Sequence, residues 1–417
     1  MEGVTVPVKT CVEERNCGAL EHAPSAPPMV ALLTGGFDRP YAFGLAMAMA
    51  SKAVRLDVIG SDEVDSPEMH STPGLNFLNL QGNPRESVSL LRRVWKVLVF
   101  YARLIRYASI AKPKIFHILW NNKVQLFDRT LLMLYYKILR KKIVFTAHNV
   151  NAGMRDAKDS PLNRLTLRIQ YQLADHIFAH TEAMKGELVE EYGVRKGRVT
   201  VIPFGINNAV PNTELTPAEA KQRLGIGSEE RTVLFFGAIR PYKGLEHLVA
   251  AFQRIASEHR SYRLIIAGEP KKDTIQYLDD ILETIEKLPS RARVIRKIEF
   301  IPDAETELYF KAADVLALPY TQIFQSGVLF LAYSFGLPVI AADVGSFRDD
   351  IIPGKTGYLF RPCDAADLAT TIESYFASDL FKALDCRRRD IRNFAHARNS
   401  WDVVAESTYN VYAELVG

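Results

Sequence analysis

Two places in this 417-residue chain combine cations, glycines and free backbone donors in a way suited to holding an anion. The first is "LFFGAIRPYKGLEHLVAAF", residues 234–252. A strand-like run ends at Gly237, a short loop carries Arg240 and Lys243, and Gly244 opens an amphipathic stretch. Two cations three residues apart beyond a strand can reach one diphosphate from both sides, from an open cleft. The second is "QIFQSGVLFLAYSFGLPVIAADVG", residues 322–345. From Val315 to Ala342 no residue is charged, yet Pro319, Gly327, Gly336 and Pro338 break the run. A membrane helix does not account for prolines and glycines at these turn-like positions. Strand, loop, buried helix over 326–335, tight turn and second strand do. Gln325, Ser326 and Gly327 then stand at a helix N-terminus, where unpaired N–H groups and the helix dipole favour an anion. A plain serine cap and a solvated basic loop are the ordinary alternatives. Finding both features in one chain weakens them.

Such loops need strands to carry them. "PMVALLTGG" (28–36), "RLDVIG" (55–60), "KIFHILW" (114–120), "KKIVFTAHN" (141–149), "HIFAHT" (176–181) and "VTVIPFG" (199–205) read as strands separated by helix-length segments. After a polar stretch the pattern restarts with "RTVLFFG" (231–237), "YRLIIAG" (262–268), "VIRKIEFI" (294–301), "DVLALPY" (314–320) and "PVIAADVG" (338–345). This is the signature of parallel βαβ units. The economical architecture is α/β, with two doubly wound domains facing a central cleft. Its expected parts are a tail over 1–27, a first domain over 28–205, a linker over 206–216 and a second domain over 217–399. Ligands in such sheets sit beyond the carboxyl ends of the strands.

Composition agrees with a soluble globular protein, at 48% apolar and 24% charged residues. Cys11, Cys17, Cys363 and Cys386 are scattered, which indicates neither a disulfide framework nor a zinc site and fits a cytoplasmic setting. The first residues lack the apolar core of a signal peptide. Net charge is +4 but lopsided: residues 85–142 hold fourteen Lys/Arg against Glu86 and Asp128. That segment predicts an anionic partner.

The motifs "FFGAIRPYKGLEHLVAAF", "AADVLALPY", "GLPVIAADVGSFRDDI" and "PGKTGYLF" resemble the retaining glycosyltransferases of family 4 (group 1), which have the GT-B fold. The likeness runs from residue 29 onward and is densest over 231–360. It implies transfer of a sugar from a nucleotide diphosphate to a hydroxyl with retained configuration, in polysaccharide or glycolipid synthesis. By the resemblance Arg240 and Lys243 hold the donor's diphosphate, and Phe300 and Ile301 lie beside the base. His148 in "FTAHN" would face the transferred sugar. Gly35 and Gly36 would form the turn near the phosphates, with Gly237, Tyr320, Gln325, Ser326 and Gly327 completing the donor site. Residues 400–417 look like the helix that crosses back onto the first domain. One departure stands out. The family usually carries two glutamates at positions that here are Ile323 and Leu331, and the second normally holds the ribose. Tyr320 or Gln325 is left for that task.

No Asp-x-Asp triplet occurs, so no metal or other cofactor is expected and protein groups alone would neutralise the diphosphate. Alternative readings are a nucleotide-sugar-binding homologue without turnover, favoured by the missing glutamates, and a sugar-nucleotide epimerase of the same fold. The epimerase needs cleft carboxylates that 315–342 does not offer. A dehydrogenase lacks its G-x-G-x-x-G, and no nucleic acid partner is indicated.

The expected partners are a nucleotide-diphosphate sugar, a glycan or lipid-diphosphate-linked acceptor, and an anionic membrane met by the basic segment. On a helical wheel Arg85, Arg92, Lys96, Arg103 and Arg106 fall within about 80°. Leu90, Val94, Leu98, Tyr101 and Ile105 lie opposite, and Trp95 and Phe100 flank the stripe as they would at a lipid interface. A solvated helix face is the plain alternative. The membrane reading places the protein peripherally on the inner face of the plasma membrane.

Overall fold

The computed structural model describes residues 27–84, 86, 89–156, 158–207, 209–289 and 293–416. The expected tail over 1–27 and Arg85 therefore fall almost wholly outside the described residues.

Seven strands build a first parallel sheet: β1 Met29–Leu33, β2 Arg55–Gly60, β3 Leu75–Asn79, β4 Ile115–Ile118, β5 Lys142–Ala147, β6 His176–Ala179 and β7 Val199–Val201. Their spatial order is β3-β2-β1-β4-β5-β6-β7. A second parallel sheet holds β8 Arg231–Phe236, β9 Tyr262–Ala267, β10 Val294–Lys297, β11 Val315–Leu318, β12 Val339–Ala342 and β13 Gly357–Phe360, in the order β10-β9-β8-β11-β12-β13. The central strands are buried on both faces, as parallel strands covered by helices must be. That explains why they read as unbroken apolar runs. Each sheet reverses its order once, between β1 and β4 and between β8 and β11. The Gly35–Gly36 turn leaves β1 and the Arg240–Lys243 loop leaves β8, so both loops emerge at a switch point, where such sheets bind ligands.

The uncharged run resolves into β11, a loop, the helix Gly327–Ser334 and β12. At the C-terminus the helix Leu384–Asn399 precedes the helix Trp401–Val416, which packs on the helix Arg39–Ser51 of the first domain. Gly44 makes that contact possible, since a Cβ there would lie 2.0 Å from Trp401. The Tyr412 hydroxyl meets His117 Nδ1 at 2.5 Å, and Lys52 pairs with Glu406. His117 is fully buried, with Nε2 2.7 Å from Thr146 Oγ1, and is the core residue its mid-strand position suggests. Where the chain crosses between domains, Ile206 N–H donates to Asn399 O and Trp401 Nε1–H donates to Ile206 O, each at 2.8 Å.

The basic helix departs from its wheel. It spans Leu90–Ile110, and its inward face is Phe100, Tyr101, Leu104 and Ala108. Phe100 is therefore core, not a flank of the charged stripe. Leu90, Val94 and Leu98, expected to face inward, are 73%, 51% and 57% exposed, and Trp95 is 66% exposed. No residue from Leu90 to Val99 is buried, and in this half of the helix Val97 packs on the sheet's core while Leu90, Leu91, Val94 and Leu98 stay exposed. Periodicity locates an apolar stripe but not the end of the surface beneath it.

Candidate functional site

The loop after β8 is shaped by glycine. Gly237 adopts φ +100, and a Cβ there would stand 3.1 Å from Lys243 Nζ. Gly244 adopts φ +64, where a Cβ would lie 2.0 Å from Pro319 O, so the loop can seat on the exit of β11. Lys243 was expected in an open cleft, but it is buried, at 7% exposure. Its ammonium stands 5.4 Å from the Tyr320 ring centroid and pairs with no carboxylate among the described residues. Burial pulls its pKa below the usual lysine value, and the neighbouring charges of Arg240 and Arg155 act in the same direction. A buried cation without a counter-ion is costly, and an anion bound here would offset that cost.

Arg155 is a site residue that sequence reasoning missed. It ends the short helix Ala152–Arg155 of the first domain, and its guanidinium lies 4.5 Å from the Tyr242 ring centroid. Its neighbour Asp156 holds both Arg155 Nε at 2.9 Å and, across the domain boundary, Arg240 Nη1 at 3.3 Å. Arg155 and Arg240 thus converge on one carboxylate, and both stand near enough to Lys243 for their charges to act on its ammonium. Lys158–Asp273 at 2.6 Å and Arg39–Asp303 at 3.7 Å add further ion pairs between the domains.

The helix Gly327–Ser334 begins beside these cations. Its cap residue Ser326 is buried and makes no side-chain cap bond, so the first-turn N–H groups have no side-chain acceptor. Ser326 Oγ donates instead to the Tyr320 hydroxyl at 3.5 Å. Tyr320 itself is 1% exposed and forms the floor under Lys243. Gly327 and Leu331 line a cavity of about 210 Å³ shared with Asp38, Tyr41, Phe204 and Trp401. Gln325 lines a different space, a hinge-side cavity of about 590 Å³ with His180, Asp350 and Arg398, and its buried Oε1 has no partner. Ile323 and Leu331 are both buried apolar residues at the two family glutamate positions. Beyond β10, Phe300 is 46% exposed and Ile301 is buried.

His148 leaves β5 and is held by rings. Trp120 stacks on it at 4.1 Å with planes 4° apart, and Tyr41 meets it edge-on at 4.6 Å. Gly35 lets the turn close onto this stack, because a Cβ there would come within 2.8 Å of Trp120. Gly36 packs on Gln81 in the same way. His148 Nδ1 lies 3.0 Å from His180 Nε2, and His180 Nδ1 lies 3.2 Å from Ile202 O. The Ile202 carbonyl can only accept, so His180 carries its proton on Nδ1 and accepts with Nε2. His148 must then donate from Nδ1, which leaves its Nε2 as a bare acceptor, and that atom is buried without a partner. Burial first, then the other histidines, holds the His148 pKa well below the usual value, and burial takes His180 to about 4. Trp120, Tyr41 and His180 carried no sequence signal beyond their positions at strand ends or a helix start.

The sequence pattern described as "Glycosyl transferases group 1" matches residues 230–378, and that described as "Glycosyltransferase Family 4" matches residues 40–210. A D-inositol 3-phosphate glycosyltransferase of Nocardia farcinica is 26% identical over 391 residues, covering 89% of this chain and 83% of that protein. Its counterpart in Corynebacterium diphtheriae is 24% identical over 396 residues, covering 90% and 88%. Among solved structures, sucrose-phosphate synthase from Thermosynechococcus elongatus superposes with a TM-score of 0.72 at 20% identity, covering 93% of this chain and 99% of that one. Anabaena HepE in complex with UDP superposes with a TM-score of 0.70 at 17% identity, covering 93% and 100%.

Proposed function

Because the chain belongs to the group 1 glycosyltransferases and has their GT-B fold, we propose that it transfers a sugar with retained configuration from a nucleotide diphosphate to a hydroxyl of a glycan or lipid-diphosphate-linked acceptor. The observation that carries this reading is the buried Lys243 ammonium, unpaired and flanked by Arg240 and Arg155. As the sugar becomes oxocarbenium-like, the demand is to stabilise the departing diphosphate, and cations and backbone donors fixed in a dry site meet it. The diphosphate takes Arg240 in place of Asp156 and receives the N–H groups at the start of the helix Gly327–Ser334. His148 Nε2 accepts a hydrogen bond from a hydroxyl of the transferred sugar. The acceptor hydroxyl attacks from the face that the diphosphate leaves, with its proton passing to the leaving oxygen. These protein cations supply the neutralisation that a metal gives elsewhere. A grouping of metal-ligand types, Glu258, His259 and Glu373, sits near the start of β9, at the end of the sheet away from the cleft.

HepE has been solved with UDP and with UDP-glucose, which makes uridine nucleotides the first donors to try. With Leu331 in place of the ribose carboxylate, the diphosphate carries most of the affinity. In a thermal-shift and calorimetry panel of UDP-, GDP- and dTDP-sugars, at least one should stabilise the protein. The matching 2′-deoxyribonucleotide should bind within about threefold of the ribonucleotide, because no ribose-holding charge is lost. Failure of every nucleotide sugar to bind would sink the donor reading. A large loss with the 2′-deoxy analogue would show that another residue holds the ribose.

The same reading places the enzyme peripherally on the inner face of the plasma membrane, making polysaccharide or glycolipid. Among the described residues no helix is long and apolar enough to cross a membrane. The helix Leu90–Ile110 presents Arg92, Arg103 and Arg106 beside the exposed Leu91, Val94, Trp95 and Leu98. Exposed Leu131, Leu134 and Ile138 follow on the neighbouring helical segment, which packs through Phe127 against Tyr101 at 5.1 Å. Cations around an apolar patch suit an anionic leaflet, each adding about 1 kcal/mol. The protein should float with phosphatidylglycerol vesicles at low salt and dissociate at high salt. Protein left in the soluble fraction at low salt would reduce the patch to a solvated face.

A further inference from the structure

A third cavity, of about 320 Å³, opens on the first domain away from the Lys243 cluster. Arg93 and Lys96 from the helix Leu90–Ile110 and Lys123 from the loop after β4 reach it, over an apolar floor of Val97 and Phe100. One acid, Glu86, also lines it, and that carboxylate is engaged by Lys96 and, at 3.8 Å, by Arg92. Arg93 and Lys123 pair with no carboxylate among the described residues. The inner wall is Gln81, whose Nε2 donates to Asn122 Oδ1 at 3.3 Å. A Cβ on Gly36 would lie 2.1 Å from Gln81 Oε1. One side chain therefore separates this cationic cavity from the glycine turn, and that turn leans on Trp120, which stacks on His148.

We infer that this cavity is the acceptor's anchoring subsite, and that it takes a phosphate or diphosphate group borne by the acceptor on Arg93, Lys96 and Lys123. The inference rests on the glycosyltransferase reading and adds the acceptor's chemical class. An anion held there leaves the rest of the acceptor to extend past Gln81 and over the Gly35–Gly36 turn, toward the sugar beside His148. Val97 and Phe100 offer apolar contact to the part of the acceptor next to the phosphate. The cavity's place on the exposed helix makes it reachable from water and from a lipid surface alike. The phosphate could belong to a soluble sugar or cyclitol phosphate or to a polyprenyl diphosphate, and the same cations would serve both.

The test uses the full chain and its Arg93→Gln/Lys123→Gln variant, with Arg103→Gln/Arg106→Gln on the same helix as a control for general charge. Both pairs are exposed, so folding should be unaffected. Calorimetry with D-inositol 3-phosphate and with a short-chain polyprenyl diphosphate, each beside its dephosphorylated form, reads binding. At least one phosphorylated probe should bind, and its dephosphorylated form should bind at least about tenfold more weakly. The Arg93/Lys123 variant should lose a similar factor while the control loses little, as expected for charge-assisted contacts to phosphate. Whichever probe binds identifies the source of the phosphate. No binding of either probe, or equal losses in the two variants, would overturn the inference. Hydrolysis of the donor by water needs Lys243 and no acceptor, and should be seen in the wild type. Its absence from the wild type would instead count against the glycosyltransferase reading itself.

Discussion

Replacing Lys243 with methionine should lower kcat by a hundredfold or more and at the same time raise the melting temperature. The first effect follows from removing one charge-stabilising contact to the leaving diphosphate, which costs about 10²- to 10³-fold in enzymes that depend on such contacts. The second follows from burial. At 7% exposure, over the Tyr320 ring and beside Arg240 and Arg155, the ammonium is desolvated and repelled with no anion bound. An apolar side chain of similar length keeps the packing and removes that cost. Function and stability therefore pull in opposite directions at this residue, as they do where a site is kept poised for a ligand. Lys243→Ala should show the same fall in turnover but less thermal gain, because it leaves a cavity. Steady-state rates with the best donor, together with melting curves of both variants, decide the matter. Near-normal turnover in Lys243→Met would remove the central claim. A marked loss of stability would show that the lysine is a structural strut.

The sequence made the sheets legible because parallel strands covered on both faces must be apolar along their whole length, as β4, β6, β11 and β12 are. The edges were not. β3 reads "LNFLN", with both asparagines exposed and Leu75 its one buried residue, and β13 is only "GYLF", so neither carried the buried-strand pattern. The cations of the β8 loop could be found because loop and strand lie together in the chain. Arg155 could not, since it reaches Tyr242 from the other domain, 87 positions away in the sequence. The wheel of the helix Leu90–Ile110 failed for a related reason. Its apolar stripe has the right period, but only from Val97 onward does it meet the core of the sheet. Periodicity reports what a helix could bury, and the neighbouring elements decide what it does bury.

His148 shows the same limit at the level of a proton. Its position after β5 marks it as a site residue, yet its usefulness depends on which nitrogen is bare, and that is fixed 54 residues further on. Ile202 O accepts from His180 Nδ1–H and His180 Nε2 accepts from His148 Nδ1–H, which leaves His148 Nε2 bare for the sugar hydroxyl that the proposed function gives it. His180 is thus a positioning residue. His180→Gln can reproduce both of its bonds, with an amide N–H toward Ile202 O and an amide oxygen toward His148. His180→Leu can reproduce neither and frees the His148 ring to put its proton on Nε2. The leucine variant should lose roughly ten- to hundredfold in kcat, the scale of one well-made hydrogen bond lost in the transition state, with the donor KM little changed. The glutamine variant should stay within a few-fold of wild type. Ring ¹⁵N shifts should report a protonated Nδ1 and a bare Nε2 for His148 in the wild type and the glutamine variant. Because burial holds His148 neutral well below pH 6.5 and takes His180 to about 4, kcat should stay level as pH falls through 6.5. The pair protonates, and activity falls, only in more acid solution. Equal losses in the glutamine and leucine variants would refute the positioning role, and so would an acid limb centred on pH 6.5 in the wild type.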